Sequence, residues 1–67
     1  MIRCRLSIEM GKKKMKVADV AKATGLNRST ITALYKETAT RVDLETMDKL
    51  CALFECQVSD LFERIDE

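Results

Sequence analysis

An all-α fold is the prediction for this 67-residue chain, and three observations carry it. Proline is absent, so no residue forbids a helix interior. Apolar residues recur at i, i+3 and i+4 in one stretch after another, which is the helical period. Gly25 is one of only two glycines, and it falls between two such stretches, where a helix must stop and the chain must turn. Five helices are expected, in a single domain over residues 1–67. Apolar content of 46% and charged content of 34% fit a folded rather than a disordered chain. A domain of this length buries only about 60% of the surface of its unfolded chain, so its stability is marginal. Pairing with a second copy would help it.

The first five residues, MIRCR, alternate: Ile2 and Cys4 on one side, Arg3 and Arg5 on the other. That is a short strand pattern or a frayed terminus. As a strand it needs a partner, either the extended residues around Thr40–Val42 or its own copy in a dimer. The first helix is expected from Leu6 to about Lys13, with Leu6 and Met10 facing inward. Ile8 lies off that stripe, free for a neighbouring element or a second subunit. Lys12, Lys13 and Lys14 stand at its C-terminal end. There they complement the helix dipole and, on a second reading, meet phosphates.

Met15 should pack beneath the following turn. A second helix then runs from about Val17 to Thr24, with Val17, Val20 and Ala21 on its inner face. Leu26 returns an apolar side chain after Gly25, and Asn27 is a good N-cap for a third helix of about Arg28 to Lys36. Ile31, Leu34 and Tyr35 are its inward residues; Arg28, Ser29, Thr32 and Ala33 lie on the opposite face, with Lys36 further along. Asp43 opens a fourth helix, with Glu45 in its first turn. Leu44, Met47, Leu50, Cys51 and Phe54 form its apolar stripe. A last helix of about Val58 to Arg64 carries Val58, Leu61, Phe62 and Ile65, a wide face for so short an element.

Two helices joined by a tight glycine turn make the unit that proteins lay into a DNA major groove. The residues Ala21, Gly25-Leu26, Asn27-Arg28-Ser29-Thr30, Ile31, Thr32 and Leu34 resemble the lambda-repressor/Cro-like helix-turn-helix family, also called the XRE family. The run from Val42 to Cys51 resembles the helix that follows in small members, and Val58-Ser59-Asp60-Leu61-Phe62 resembles their last helix. The resemblance covers about residues 6–63. It implies a five-helix lambda-repressor-like domain with the third helix as reader.

On that implication Arg28, Ser29, Thr32 and Ala33 contact bases. Arg28 suits guanine O6 and N7, Ser29 and Thr32 suit several bases weakly, and the Ala33 methyl suits a thymine methyl. Lys16, Asn27, Thr30, Lys36, Thr38 and Arg41 are the candidate phosphate contacts. The chain departs from the family at two places. Lys16 and Val17 stand where a small polar cap and a glutamine are usual. Glu37 stands where a glycine usually follows the reader helix.

The charge distribution agrees with nucleic acid where the total does not. Net charge is only +1, but residues 1–36 hold nine Lys/Arg against two acids, and residues 37–67 hold three against nine. A basic half can face phosphates while an acidic half faces away.

Other chemistry has little to stand on. There is no histidine, so no ordinary general base near neutral pH and no Ser-His or Cys-His pair. The three cysteines, Cys4, Cys51 and Cys56, are odd in number and lack Cys-x-x-Cys spacing. They read as free buried thiols in a reducing compartment, with no metal and no cofactor. The N-terminus is charged with no apolar run behind it, and no stretch approaches the roughly 20 apolar residues of a membrane helix.

The expectation is therefore a cytoplasmic, non-enzymatic transcriptional regulator of repressor type. It should bind double-stranded DNA at a palindromic operator as a homodimer, with no membrane partner and no small-molecule effector. The alternative is an antitoxin-like or scaffold module that uses the same fold to touch a protein.

Overall fold

Five helices and two three-residue strands follow one another along residues 1–66, the part of the chain that this computed structural model describes. They are β1 (Ile2–Cys4), α1 (Leu6–Lys13), α2 (Val17–Thr24), α3 (Arg28–Tyr35), α4 (Leu44–Phe54), α5 (Val58–Leu61) and β2 (Phe62–Arg64). The core is one cluster to which every helix contributes: Leu6 and Met10, Val20, Ile31 and Leu34, Leu50 and Phe54, and Leu61. Each fully buried side chain of this kind contributes roughly 1.5–3 kcal/mol. No helix among the described residues is long and apolar enough to cross a membrane.

The strand pattern at the N-terminus finds a partner that periodicity did not suggest. β1 pairs antiparallel with β2, with Ile2 opposite Arg64, Arg3 opposite Glu63 and Cys4 opposite Phe62. It does not pair with the residues around Thr40–Val42. The last helix is correspondingly shorter than expected and stops at Leu61. Phe62 already has extended backbone, at φ −126° and ψ 132°. Leu61 is buried and Phe62 and Ile65 are half-buried, so the i, i+3, i+4 spacing that suggested one helix is shared between a helical turn and a strand.

Helix α4 is rotated from the expected stripe. Leu44 is 82% exposed, whereas Thr46 is 5% exposed beside Leu50 and Phe54. Helical side chains lean toward the N-terminus, so Leu44 in the first turn points off the end of the helix and past the core. Thr46 tolerates burial because Asp43, the N-cap, takes its backbone N–H at 2.7 Å and its hydroxyl as well. These hydrogen bonds from Thr46 hold the Asp43 carboxyl below its ordinary value.

Four helices end in left-handed backbone, and only one of them uses glycine there: Gly25 at φ 76°, after α2. Lys14 (φ 55°), Glu37 (φ 59°) and Glu55 (φ 52°) do the same after α1, α3 and α4. Each closes its helix with paired bonds back into the last turn. After α4, for example, the N–H of Glu55 donates to Ala52 O at 3.4 Å and that of Cys56 to Cys51 O at 3.0 Å. That turn brings Cys51 and Cys56 together. All three cysteines are free and half-buried rather than buried.

Candidate nucleic-acid interface

The site is built from the turn between α2 and α3. Gly25 donates its N–H to Ala21 O at 2.8 Å and reverses the chain. Thr24 closes the same corner: its hydroxyl donates to Val20 O at 2.7 Å and accepts the Leu26 N–H at 3.2 Å. Lys16, as its side-chain chemistry requires, supplies no cap to α2. Asp19 makes the bond from the other direction, its Oδ2 accepting the Lys16 N–H at 2.9 Å. Asn27 caps α3 through Oδ1, which accepts the Ser29 N–H at 2.8 Å.

With Ile31 and Leu34 buried, α3 is held by its inner side. Arg28, Ser29 and Thr30 in its first turn are exposed, and so is Lys36 just past its end. Thr32 and Ala33, in the middle of the helix, are half-buried. Around them Lys16, Asn27, Thr38 and Arg41 are exposed. Asn27 keeps its amide N–H groups for an external acceptor, because the cap uses only its oxygen.

The cations divide into two groups. Lys12 pairs with Glu9 at 3.2 Å and Lys13 with Glu55 at 3.9 Å, while Arg3 lies 4.0 Å from Glu37. Among the described residues Arg28, Lys16, Lys36 and Arg41 enter no ion pair. The cations beside α3 are thus open to an anionic partner, and two of the three lysines in the 12–14 run already have carboxylates.

Two residues matter more here than the sequence suggested. Tyr35, expected to face inward, is 44% exposed: α3 ends with it, and no further turn covers the ring. Glu37 occupies the expected glycine place, which its left-handed backbone explains, and its exposed carboxylate reaches across to the first strand. Oε1 of Glu37 accepts the Cys4 N–H at 3.1 Å. The spacing of charges carries no signal for that contact, because its two ends lie 33 residues apart. The segment after it, with Ala39, Thr40, Arg41 and Val42, borders a groove of about 200 Å³ against Ile2, Cys4, Leu34 and Phe62.

Comparison with known proteins places this geometry. The family described as the Cro/C1-type HTH DNA-binding domain matches residues 5–67. YozG of Bacillus subtilis (strain 168), described as an uncharacterized HTH-type transcriptional regulator, is 29% identical over 63 residues, covering 92% of this chain and 75% of that protein. A crystal structure of a candidate DNA-binding protein from Bacteroides fragilis superposes with a TM-score of 0.80 at 17% identity, covering 94% of this chain and 100% of that one. That likeness is one of fold.

Proposed function

The chain belongs to the Cro/C1-type helix-turn-helix DNA-binding domain family, and from that premise we propose that it is a small transcriptional regulator reading double-stranded DNA with α3 in the major groove. The observation that carries the reading is the first turn of α3. Arg28 stands exposed and without an ion pair among the described residues, on a helix locked from behind by Ile31 and Leu34. In such units the first turn of the second helix reaches base edges, and a guanidinium there recognises guanine through two parallel hydrogen bonds.

Ser29, Thr32 and Ala33 complete the proposed base-reading side. The half-burial of Thr32 and Ala33 restricts them to short-range contact, such as a methyl against a thymine methyl. Lys16, Asn27, Thr30, Lys36, Thr38 and Arg41 are the proposed phosphate contacts. They set the register of the duplex without reading it. The protein acts in this reading as a cytoplasmic homodimer on a palindrome, with half-sites about 34 Å apart.

Selection of bound sequences from a random duplex pool tests the proposal. The expected result is a two-fold symmetric consensus whose binding weakens steeply with salt, as phosphate neutralisation requires. A pool that returns no consensus, with no duplex bound at low salt, would overturn it in favour of a protein-binding module.

A further inference from the structure

We propose that Glu37 is a positioning residue for DNA binding: by accepting the Cys4 N–H, its carboxylate fixes the end of α3 and residues 38–41 against the first strand. The inference rests on the reading above that α3 and this segment face DNA.

The argument starts from the β1–β2 ladder. Met1 and Ile65 exchange two backbone hydrogen bonds, each of 2.8 Å, and the Arg5 N–H donates to Leu61 O at 2.7 Å. Antiparallel pairing has a period of two. Met1, Arg3 and Arg5 therefore turn their backbone groups toward β2, and Ile2 and Cys4 turn theirs away. The Cys4 N–H is thus an open sheet edge, and Glu37 Oε1 occupies it at 3.1 Å. Arg3 Nε lies 4.0 Å from the same oxygen.

Glu37 reaches this position at a conformational cost. Its backbone is left-handed at φ 59°, a region that suits glycine far better. The local turn alone does not need a carboxylate. The N–H of Glu37 donates to Leu34 O at 3.2 Å and that of Thr38 to Ala33 O at 2.9 Å, bonds any residue can make. What glycine lacks is the side chain that crosses to β1. Packing between the strand and residues 39–42 is incomplete, since a groove of about 200 Å³ lies between them. The hydrogen bond therefore ties two parts that van der Waals contact leaves loosely joined. It also commits that carboxylate oxygen to the first strand, beside Arg3.

The test uses four single variants of the full chain, Glu37→Gln, Glu37→Gly, Cys4→Pro and Cys4→Ala, and one double variant. Cys4→Pro removes the donor without touching the ladder, because that N–H points away from β2 and Arg3 before it is already extended. Affinity for the selected duplex is read by fluorescence anisotropy at fixed salt, with the folded fraction measured by circular dichroism. Glu37→Gln keeps an acceptor and Cys4→Ala keeps the donor, so both should bind within about twofold of wild type. Glu37→Gly and Cys4→Pro should stay folded and bind about tenfold more weakly, the equivalent of one lost hydrogen bond to a charged group. The double variant Glu37→Gly with Cys4→Pro should bind no more weakly than either alone.

Wild-type affinity in Glu37→Gly and Cys4→Pro overturns the positioning role and leaves DNA binding standing. Equal losses in Glu37→Gln and Glu37→Gly overturn the hydrogen bond as its cause, as do additive losses in the double variant. If Cys4→Pro does not fold, the comparison of Glu37→Gly with Glu37→Gln decides alone. A wild type that binds no duplex at low salt overturns the function proposed above, and this inference with it.

Discussion

Oδ1 of Asn27 accepts two hydrogen bonds from Ser29, one from its backbone N–H at 2.8 Å and one from its hydroxyl at 2.6 Å. The hydroxyl proton of Ser29 is therefore already engaged in starting the helix. Its oxygen keeps only acceptor capacity toward a base, while Arg28 beside it keeps every donor.

That difference separates the roles of neighbouring side chains. Arg28→Ala should relax base preference at one operator position, by about 1–3 kcal/mol. Ser29→Ala should shift base preference much less than Arg28→Ala, because only a single acceptor is lost. Lys36→Ala should weaken all duplexes alike and lower the salt slope by about one. Binding of a panel of single-base operator variants at several salt concentrations reads all three. A specificity change from Lys36→Ala, with none from Arg28→Ala, would reverse the assignment.

The left-handed residues outside the proposed interface offer a stability test. At Lys14 and Glu55 a side chain stands where the backbone has φ 55° and φ 52°. Lys14→Gly and Glu55→Gly should each stabilise the protein, by about 1 kcal/mol. Each also loses little: Glu55 has only a loose pair with Lys13 at 3.9 Å. Urea midpoints report the outcome, and a lower midpoint in both variants would mean that these side chains hold contacts stronger than the strain.

Asp43 makes stability depend on pH. Hydrogen bonds from Thr46 lower its carboxyl pKa in the folded chain. A lowered folded value means that the stabilisation is complete above the unfolded pKa and disappears as pH falls through the folded one. Asn at this position still caps but does not titrate. The stability advantage of wild type over Asp43→Asn should therefore shrink on acidification from about pH 6 to about pH 3. A gap that stays constant across that range would remove Asp43 as its source.

The thiol of Cys56 is pushed up to about 11, chiefly by burial and then by the adjacent Cys51. The nucleophile is the thiolate, so folded Cys56 should alkylate slowly with iodoacetamide at about pH 8, and unfolding in urea should speed it by about a hundredfold. Mass spectrometry of the modified peptide gives the two rates. Similar rates folded and unfolded would show that Cys56 is not shielded.

Much of this molecule can be read from residue types whose effects are local. Gly25 stops α2 because it takes positive φ freely, and Asn27 and Asp43 open helices because their side chains accept the first N–H groups. Leu6, Met10, Val20, Ile31, Leu34, Leu50 and Phe54 are buried as their spacing requires. What escapes the sequence depends on the partners a residue meets in the fold. Lys14, Glu37 and Glu55 have no intrinsic preference for left-handed backbone, and the paired hydrogen bonds that close each helix hold them there. Thr46 is buried although polar, because Asp43 satisfies it. Leu61 and Phe62 fit a helical period until β1 claims Phe62 as a strand. Within the candidate site, the exposed first turn of α3 was legible from the cap and the buried residues. The Glu37 contact was not, since neither Glu37 nor Cys4 carries any mark of the other.

The pairing of Met1 with Ile65 spans 64 positions. During synthesis the first strand is made before the residues that will align it have been joined to the chain. The helices rely on nearer neighbours and can assemble earlier, whereas closing so distant a pair has the largest loop entropy in the molecule. The β1–β2 ladder therefore cannot begin to form until Phe62–Arg64 have joined the chain.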